Sequence, residues 1–178
     1  MKRILITGAN SCIGLSFEKY IMQFGDEYQV DTIDMIDGSW REKSFSDYDV
    51  VFHVAGIAHI KETEENAYLY YEVNRDLPIG VADKAKKEGV KQFIFISSMS
   101  VYGRDTGVIT KATLLTPKSN YGKSKLEAEK GLSNIENDSF HICILRPPMV
   151  YGDGCKGNYQ TLSKLIQTTS IFPNVSNK

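Results

Sequence analysis

The sequence predicts an α/β fold in which a doubly wound parallel sheet carries helices on both faces. Three observations support this fold class. Short apolar runs alternate with longer segments of helical periodicity, a glycine-containing turn joins the first strand directly to a helix, and 178 residues suffice for one domain with a real core. Strands separated by whole helices pair in parallel, so three layers of helix, sheet and helix are expected.

Five strands are predicted from short runs rich in β-branched and aromatic residues, and the segments between them show helical periodicity. Gly25 and Gly89 end the first and second helices, and Pro78 is expected to kink the second. The predicted strands are residues 2–7, 28–34, 49–54, 91–97 and 141–146, and the predicted helices are residues 12–24, 64–88, 120–133 and 158–168.

Composition excludes several classes of function. The net charge is −1 without a basic block, which argues against a nucleic-acid partner. No apolar run approaches the roughly 20 residues that span a bilayer, and the apolar run at the N-terminus is too short for a signal peptide. The three cysteines are odd in number and widely spaced, and the three histidines lack metal-ligand spacing. We therefore expect a cytoplasmic protein with reduced thiols, no metal site and no membrane contact.

The turn between the first strand and the first helix has the pattern of a dinucleotide site. Gly8 permits a tight turn, Gly14 permits close packing of helix on sheet, and the helix N-terminus offers N–H groups to a pyrophosphate. Ser11 stands where this fingerprint usually has glycine, and a plain structural turn is the alternative. The predicted cofactor-binding residues of this three-layer Rossmann fold are Gly8, Asn10, Ser11, Cys12, Ile13 and Gly14.

An acidic residue at the end of the second strand would bond the adenosine ribose. Asp34 lies 20 residues after Gly14 and is the candidate, with Asp37 as a competitor because the segment that follows is short. A carboxylate at this position would repel a 2′-phosphate, which favours NAD over NADP. The alternative is that both are solvated turn residues.

A serine, a tyrosine and a lysine follow the fourth strand in an order that indicates a proton-transfer site. Ser98 lies at the carboxyl end of that strand, where ligands of parallel sheets bind. Tyr121 and Lys125 are spaced i, i+4 and share one face of a helix. Because an ammonium lowers the pKa of a nearby phenol, this spacing predicts that Tyr121 acts as a base, with Ser98 bonding the substrate oxygen.

Together these segments resemble the extended short-chain dehydrogenase/reductase family, and most closely its NAD-dependent nucleotide-sugar epimerases and dehydratases of the UDP-glucose 4-epimerase kind, including those of bacterial surface polysaccharides. The resemblance extends over the whole chain. The residues that carry it are those of the glycine turn, Ser98, Val101–Tyr102–Gly103, Tyr121 to Lys125 and residues 145–152.

The resemblance implies roles for individual residues. Tyr121 would be the catalytic base and acid, and Lys125 would also bind the nicotinamide ribose. Ser98 is preferred over Ser97 because it lies three residues before Val101, as in the family motif. The turn of Val54, Ala55 and Gly56 would lie along the cofactor, Pro148 would lie near the nicotinamide, and Asn74 would be mainly structural.

The resemblance also implies a nucleotide-sugar substrate and a homodimer formed through the two long helices. An epimerase is favoured over a dehydratase, because Met99 and Ser100 follow Ser98 where dehydratases carry acidic residues. A keto-sugar reductase and a non-catalytic dinucleotide sensor remain alternatives. The chain is expected to be a single NAD(P)-binding domain, residues 1–178, without the substrate-binding part of the family, and between Asp34 and Val50 a helix and strand common in the family are expected to be short or absent.

Overall fold

Within the described residues, a five-stranded parallel sheet forms the core of the fold and confirms the predicted fold class. The structure is a computed structural model that describes residues 1–58, 60–152, 155 and 168. The strand order is β2-β1-β3-β4-β5, and every neighbouring pair is parallel. The strands are β1 (Lys2–Thr7), β2 (Tyr28–Ile33), β3 (Val50–His53), β4 (Gln92–Ile96) and β5 (His141–Leu145).

Four α-helices connect these strands. Helix α1 (Cys12–Ile21) joins β1 to β2, α2 (Ala67–Tyr71) and α3 (Leu77–Lys87) join β3 to β4, and α4 (Asn120–Ile135) joins β4 to β5. The first predicted helix ended too late, since a 3₁₀ segment over Met22–Glu27 replaces its last turn and Gly25 adopts a positive φ of 53°. The predicted helix over residues 158–168 lies outside the described residues, Thr168 excepted.

A π-helical segment, Glu72–Asp76, joins α2 to α3 within the second predicted helix. In an α-helix the ring of Pro78 would clash with the carbonyl of Asn74 four residues earlier. The widened turn, in which the Leu77 N–H donates to the Glu72 carbonyl five residues back, accommodates the proline. The sequence placed the perturbation in the right helix but did not predict its form.

Helices cover both faces of the sheet, and adjacent residues of each strand serve opposite faces. Ile4, Ile6 and Phe52 pack on one face with Phe17 of α1. Leu5 and its neighbours pack on the other face against α3 and α4 in the larger core, whose buried members include Val51, Val81, Phe93, Phe95, Ala128 and Leu132. This alternation follows from the two-residue period of a strand.

The connection between β2 and β3 is short, as expected. Residues 34–49 contain one 3₁₀ turn, Ser39–Arg41, and no other helix or strand. Their large side chains instead fill the core over this part of the sheet, namely Met35, Trp40, Phe45 and Tyr48. Trp40, whose position the sequence left open, is 5% exposed and lies 3.8 Å from the position that a Cβ on Gly80 would take.

Within the described residues, no helix is both long and apolar enough to span a bilayer. Residues 1–148 form one compact unit, and residues 149–178 form a second unit of which little is described. In the first unit the two long helical regions lie side by side on one face of the sheet. The homodimer through their outer surfaces stays a prediction.

We predict that Trp40→Ala lowers the free energy of unfolding by about 3–5 kcal/mol. The substitution removes a large side chain from the core that residues 34–49 form without a further helix or strand. Urea denaturation followed by circular dichroism measures the change. Ile36→Ala is the control, since Ile36 is 93% exposed and should change stability by less than about 0.5 kcal/mol. Equal effects of the two substitutions would show that Trp40 does not carry this part of the core.

Candidate functional site

The candidate site lies at the carboxyl ends of β1, β3 and β4. The strand order reverses between β1 and β3, because the chain runs from β1 outward to β2 and returns to the other side of β1. In open parallel sheets ligands bind outside the carboxyl ends of the strands at such a switch point. The glycine turn follows β1, and Ser98 follows β4, so the fold brings the predicted residues to one edge.

The glycine turn is packed against the segment that follows β3. Gly8 has a φ of 111°, and a Cβ added there would lie 2.6 Å from the backbone nitrogen of Ala55. Gly14 is buried, and its Cβ would lie 3.3 Å from the Ile6 side chain and 3.4 Å from that of Val54. Both glycines therefore have the physical roles that the sequence predicted for them, a tight turn and close packing of helix on sheet.

The remaining residues of this turn differ in their contacts and in their exposure. Ser11 is the N-cap of α1, and its hydroxyl oxygen accepts the Gly14 N–H at 3.1 Å. Ile13 packs toward the core of the α1 face. Asn10 adopts a positive φ of 63° and is exposed.

Cys12 is disulfide-bonded, so the expectation of reduced thiols is wrong for it, whereas Cys143 is a free cysteine. Spacing along a sequence does not report which thiols a fold brings together.

The first turn of α1 fits a pyrophosphate. Its N–H groups stand at the positive end of the helix dipole, where an anion is favoured, and that of Gly14 is accepted by the Ser11 hydroxyl oxygen at 3.1 Å. Gly8 lets the backbone before this turn pack directly on Ala55, because a side chain at position 8 would collide with that residue.

Asp34 follows β2 directly, beside the glycine turn. The carbonyl of Ile33 accepts the N–H groups of Gly8 and Ala9 at 2.9 and 3.1 Å, which holds the two segments together. The Asp34 carboxylate is exposed and accepts the Ile36 N–H at 2.8 Å. Asp37 is exposed too, and its bonds to Ser39 hold its pKa below the usual value. Both carboxylates therefore shape the turn, and each keeps acceptor capacity toward solvent.

Asn74 fixes the segment after β3. It is fully buried in the π-helical segment, its Oδ1 accepts the Ile57 N–H at 2.9 Å, and its Nδ2 donates to the Ile57 carbonyl at 2.9 Å. A Cβ on Gly56 would lie 2.9 Å from the Asn74 Oδ1 and 3.2 Å from the Lys125 Nζ. The segment predicted to lie along a cofactor is thus held against the helix that carries the lysine.

The structure separates the two neighbouring serines after β4. Ser97 is buried and its hydroxyl donates to the Glu129 carboxylate. Ser98 caps the short 3₁₀ turn Met99–Tyr102 by accepting the Ser100 N–H at 3.1 Å, and it hydrogen-bonds to Tyr121. Ser98, the residue preferred from the sequence, is therefore the one that faces the tyrosine.

Lys125 is almost fully buried beneath this site. Its ammonium donates to the Ile96 carbonyl at 2.9 Å and lies 4.6 Å from the centroid of the Phe95 ring. Burial lowers the pKa of Lys125 to about 7, and the nearby Glu129 carboxylate opposes that shift.

The predicted effect of Lys125 on Tyr121 is wrong in this structure. The pKa of Tyr121 is raised, because burial of the phenol outweighs the lowering effect of its hydrogen bond with Ser98. The i, i+4 spacing placed the two residues on one helix face but did not reveal that the Lys125 ammonium donates to the Ile96 carbonyl at the end of β4. Proximity along a helix therefore did not give the direction of the pKa shift.

Glu129 and Arg146 are the residues of this region that sequence reasoning missed. Glu129 is buried and accepts from the Arg146 Nε at 2.9 Å and Nη2 at 2.6 Å, while the Arg146 Nη1 donates to the Tyr102 hydroxyl at 2.7 Å. The signal was present, since Glu129 continues the i, i+4 series of Tyr121 and Lys125. Pro148 is exposed beyond β5, next to Pro147, whose carbonyl accepts the Met99 N–H at 3.3 Å.

The parallel sheet and the glycine turn at its switch point define a Rossmann-type domain, and the serine, the tyrosine and the lysine lie at the same edge of its sheet. The chain belongs to the NAD dependent epimerase/dehydratase family, whose sequence model matches residues 4–170. This match confirms the resemblance to extended short-chain dehydrogenases/reductases.

Individual relatives agree with this family. UDP-glucose 4-epimerase of Vibrio cholerae is 34% identical over 193 residues, which cover 97% of this chain and 59% of that protein. The structure of a UDP-glucuronic acid 4-epimerase from Bacillus cereus in complex with NAD matches with a TM-score of 0.72 and 27% identity over 84% of this chain and 57% of its own. A dTDP-4-dehydrorhamnose reductase from Clostridium acetobutylicum matches with a TM-score of 0.76 and 29% identity over 93% of this chain and 60% of its own. The chain therefore spans less than two thirds of the length of these relatives.

We predict that Gly122→Ala disturbs the approach of α4 to the turn after β4. A Cβ at Gly122 would lie 2.7 Å from the Ser100 carbonyl oxygen and 3.0 Å from the Pro117 Cβ. Such crowding costs about 1–3 kcal/mol, which exceeds the roughly 1 kcal/mol that alanine gains over glycine in helix propensity. Thermal unfolding should therefore show a loss of stability.

Gly131→Ala is the matched control on the same helix. Its Cβ would meet only the Ile79 side chain, which can rotate, whereas the Ser100 carbonyl cannot move without its backbone. Gly131→Ala should be close to neutral. If both variants unfold at the same temperature, the close approach at Gly122 does not constrain α4.

Proposed function

We propose that the protein is an NAD-dependent nucleotide-sugar epimerase in which Tyr121 moves a proton to and from a sugar hydroxyl. The observation that supports this most directly is the contact of Ser98 with Tyr121 above the buried Lys125, at the edge of the sheet that also carries the glycine turn. Relatives that are named as UDP-sugar 4-epimerases support the substrate class.

The glycine turn and its neighbours would hold the cofactor. The first turn of α1 would bind the pyrophosphate, Asp34 or Asp37 the adenosine ribose, and the turn Val54–Gly56 would lie along the dinucleotide. Lys125 donates one N–H group of its ammonium to the Ile96 carbonyl. Its other N–H groups would donate to the nicotinamide ribose. Pro148 would border the nicotinamide from the side of β5.

Side chains of the protein would carry out the proton transfer. When bound, NAD supplies a hydride acceptor and donor, and its cationic ring lowers the pKa of a nearby phenol. With its pKa lowered in this way, the phenol would first release its own proton to solvent. The Tyr121 oxygen would then accept the proton of the sugar hydroxyl and later return it, while the Ser98 hydroxyl would hold the same sugar oxygen in place. The raised pKa of the Tyr121 phenol means that it holds its proton until a positive charge is close.

A reductase acting on a keto-sugar is the second candidate. The similarity to a dTDP-4-dehydrorhamnose reductase favours it, and the same serine, tyrosine and lysine would serve that reaction. An epimerase regenerates its cofactor in each cycle, whereas a reductase consumes one reduced cofactor for each product. Incubation of the full-length protein with UDP-sugars, with product analysis by NMR and cofactor quantification, distinguishes the two. A dehydratase is disfavoured, because Met99 and Ser100 supply no acid after Ser98.

Tyr121→Phe should lower the turnover of a UDP-sugar by about 10²–10⁴-fold, because it removes the proton-transferring oxygen and little else. NAD affinity, measured by isothermal titration calorimetry on the same preparation, should remain close to that of the wild type. Tyr20→Phe, on the exposed surface of α1, is the control and should leave both values unchanged. Full turnover in Tyr121→Phe would remove this residue from the mechanism, and NAD binding without any turnover of the wild type would favour a sensor.

Asp34→Asn should raise the affinity for NADP relative to NAD. Loss of one exposed carboxylate near a 2′-phosphate removes a repulsion of about 1 kcal/mol, which corresponds to roughly a fivefold to tenfold change in the affinity ratio. Calorimetric titration with both cofactors measures it. Asp37→Asn removes the same charge three residues later, so the variant with the larger change identifies the ribose-binding carboxylate. Unchanged ratios in both would show that neither carboxylate contacts the ribose.

A further inference from the structure

We propose that Glu129 is a positioning residue that holds the serine turn and the end of β5 against the helix that carries Lys125. This inference rests on the proposed function, because it concerns the same group of residues. Glu129 lies one helical turn beyond Lys125 on α4 and is buried. It touches neither a predicted cofactor position nor a predicted substrate position, so it would act through its neighbours.

The carboxylate of Glu129 joins three elements of the fold. The Ser97 hydroxyl donates to it from the end of β4, and Arg146 donates to it with Nε at 2.9 Å and Nη2 at 2.6 Å from the residue after β5. Glu129 itself lies on α4. Because Ser97 immediately precedes Ser98, the bond to Glu129 limits the position of the serine that faces Tyr121.

Glu129 also supplies negative charge near the buried Lys125. Its carboxylate raises the pKa of Lys125 against the effect of burial. The other titratable groups in this region of the site are His53, Tyr121 and Arg146. Burial lowers the pKa of His53 to about 3, so that ring stays neutral. Tyr121 holds its proton, and the Arg146 guanidinium is engaged with Glu129 and Tyr102. Glu129 is thus the anionic group that favours the ammonium form of Lys125.

Glu129→Gln removes the charge and also replaces one of the two acceptor oxygens with an NH₂ group, which would face an Arg146 N–H donor. Ser97→Ala removes one of the hydrogen bonds to Glu129 and leaves the charge in place. The two variants together therefore separate the charge from the hydrogen bonds. Glu127→Gln is the matched control, since Glu127 is an exposed residue on the same helix that pairs with Arg75 at 2.9 Å and does not contact the site. Glu129→Asp restores the charge on a shorter side chain.

The primary measurement is the titration of the Lys125 side chain by NMR in protein labelled with ¹³C-lysine, with Lys125→Arg to assign the signal. The pKa of Lys125 should fall in Glu129→Gln, should recover in part in Glu129→Asp and should not change in Glu127→Gln. In turnover assays with a UDP-sugar, the alkaline limb of the pH profile of Glu129→Gln should shift to lower pH by the same amount. Turnover above neutral pH should fall by roughly tenfold to a hundredfold.

An unchanged Lys125 titration in folded Glu129→Gln overturns the proposal, and so does a uniform loss of rate without a shift of the pH profile. If Glu129→Gln fails to fold, Ser97→Ala tests the geometric part, because it removes one donor to Glu129 without changing a charge. Normal turnover in Ser97→Ala then overturns the proposal. The NMR titration needs no turnover, so a failure of the proposed function, seen as full activity in Tyr121→Phe, is distinguishable from a failure of this inference.

Discussion

The burial of the Lys125 ammonium against the end of β4 is the constraint on which the candidate site depends. Removing an ammonium from water costs several kcal/mol unless partners compensate it. Here the Ile96 carbonyl accepts from it, the Phe95 ring lies beneath it and Glu129 lies one turn further along the same helix. Because two of these partners belong to β4, satisfying the charge also fixes α4 on the sheet, which places Tyr121 beside Ser98.

The other half of the site is organised by backbone contacts between strand ends. The Thr7 carbonyl accepts the N–H groups of Val54 and Ala55, each at 3.0 Å, so the segments after β1 and β3 run together. Gly8 makes this packing possible, since a side chain there would overlap Ala55. The two halves meet at Gly56, where a Cβ would approach both Asn74 and the Lys125 Nζ. The glycines at positions 8 and 56 therefore allow the segment after β3 to pack closely against both the glycine turn and the buried Lys125 ammonium.

Periodicity and turn chemistry were sufficient to predict the sheet, the glycine turn and the shared face of Tyr121 and Lys125, because these depend on neighbours in sequence. What the sequence did not predict depends on contacts distant in sequence. The raised pKa of Tyr121 follows from burial by the whole fold, and the function of Glu129 follows from Arg146, which lies on a different element. The π-helical segment before Pro78 has a consequence of the same kind, since it places Asn74 where its side chain hydrogen-bonds with Ile57.

The short connection between β2 and β3 links the core to the predicted cofactor edge. Met35, Trp40 and Phe45 are buried in the core, whereas Asp34 and Asp37, on either side of Met35 in the sequence, remain exposed. Each aspartate accepts the N–H two residues later, which defines the turn locally without a helix or strand. The buried aromatic side chains fix where this turn begins and ends, and the aspartates fix its backbone. A segment without regular secondary structure can therefore present carboxylates in a defined position beside the glycine turn.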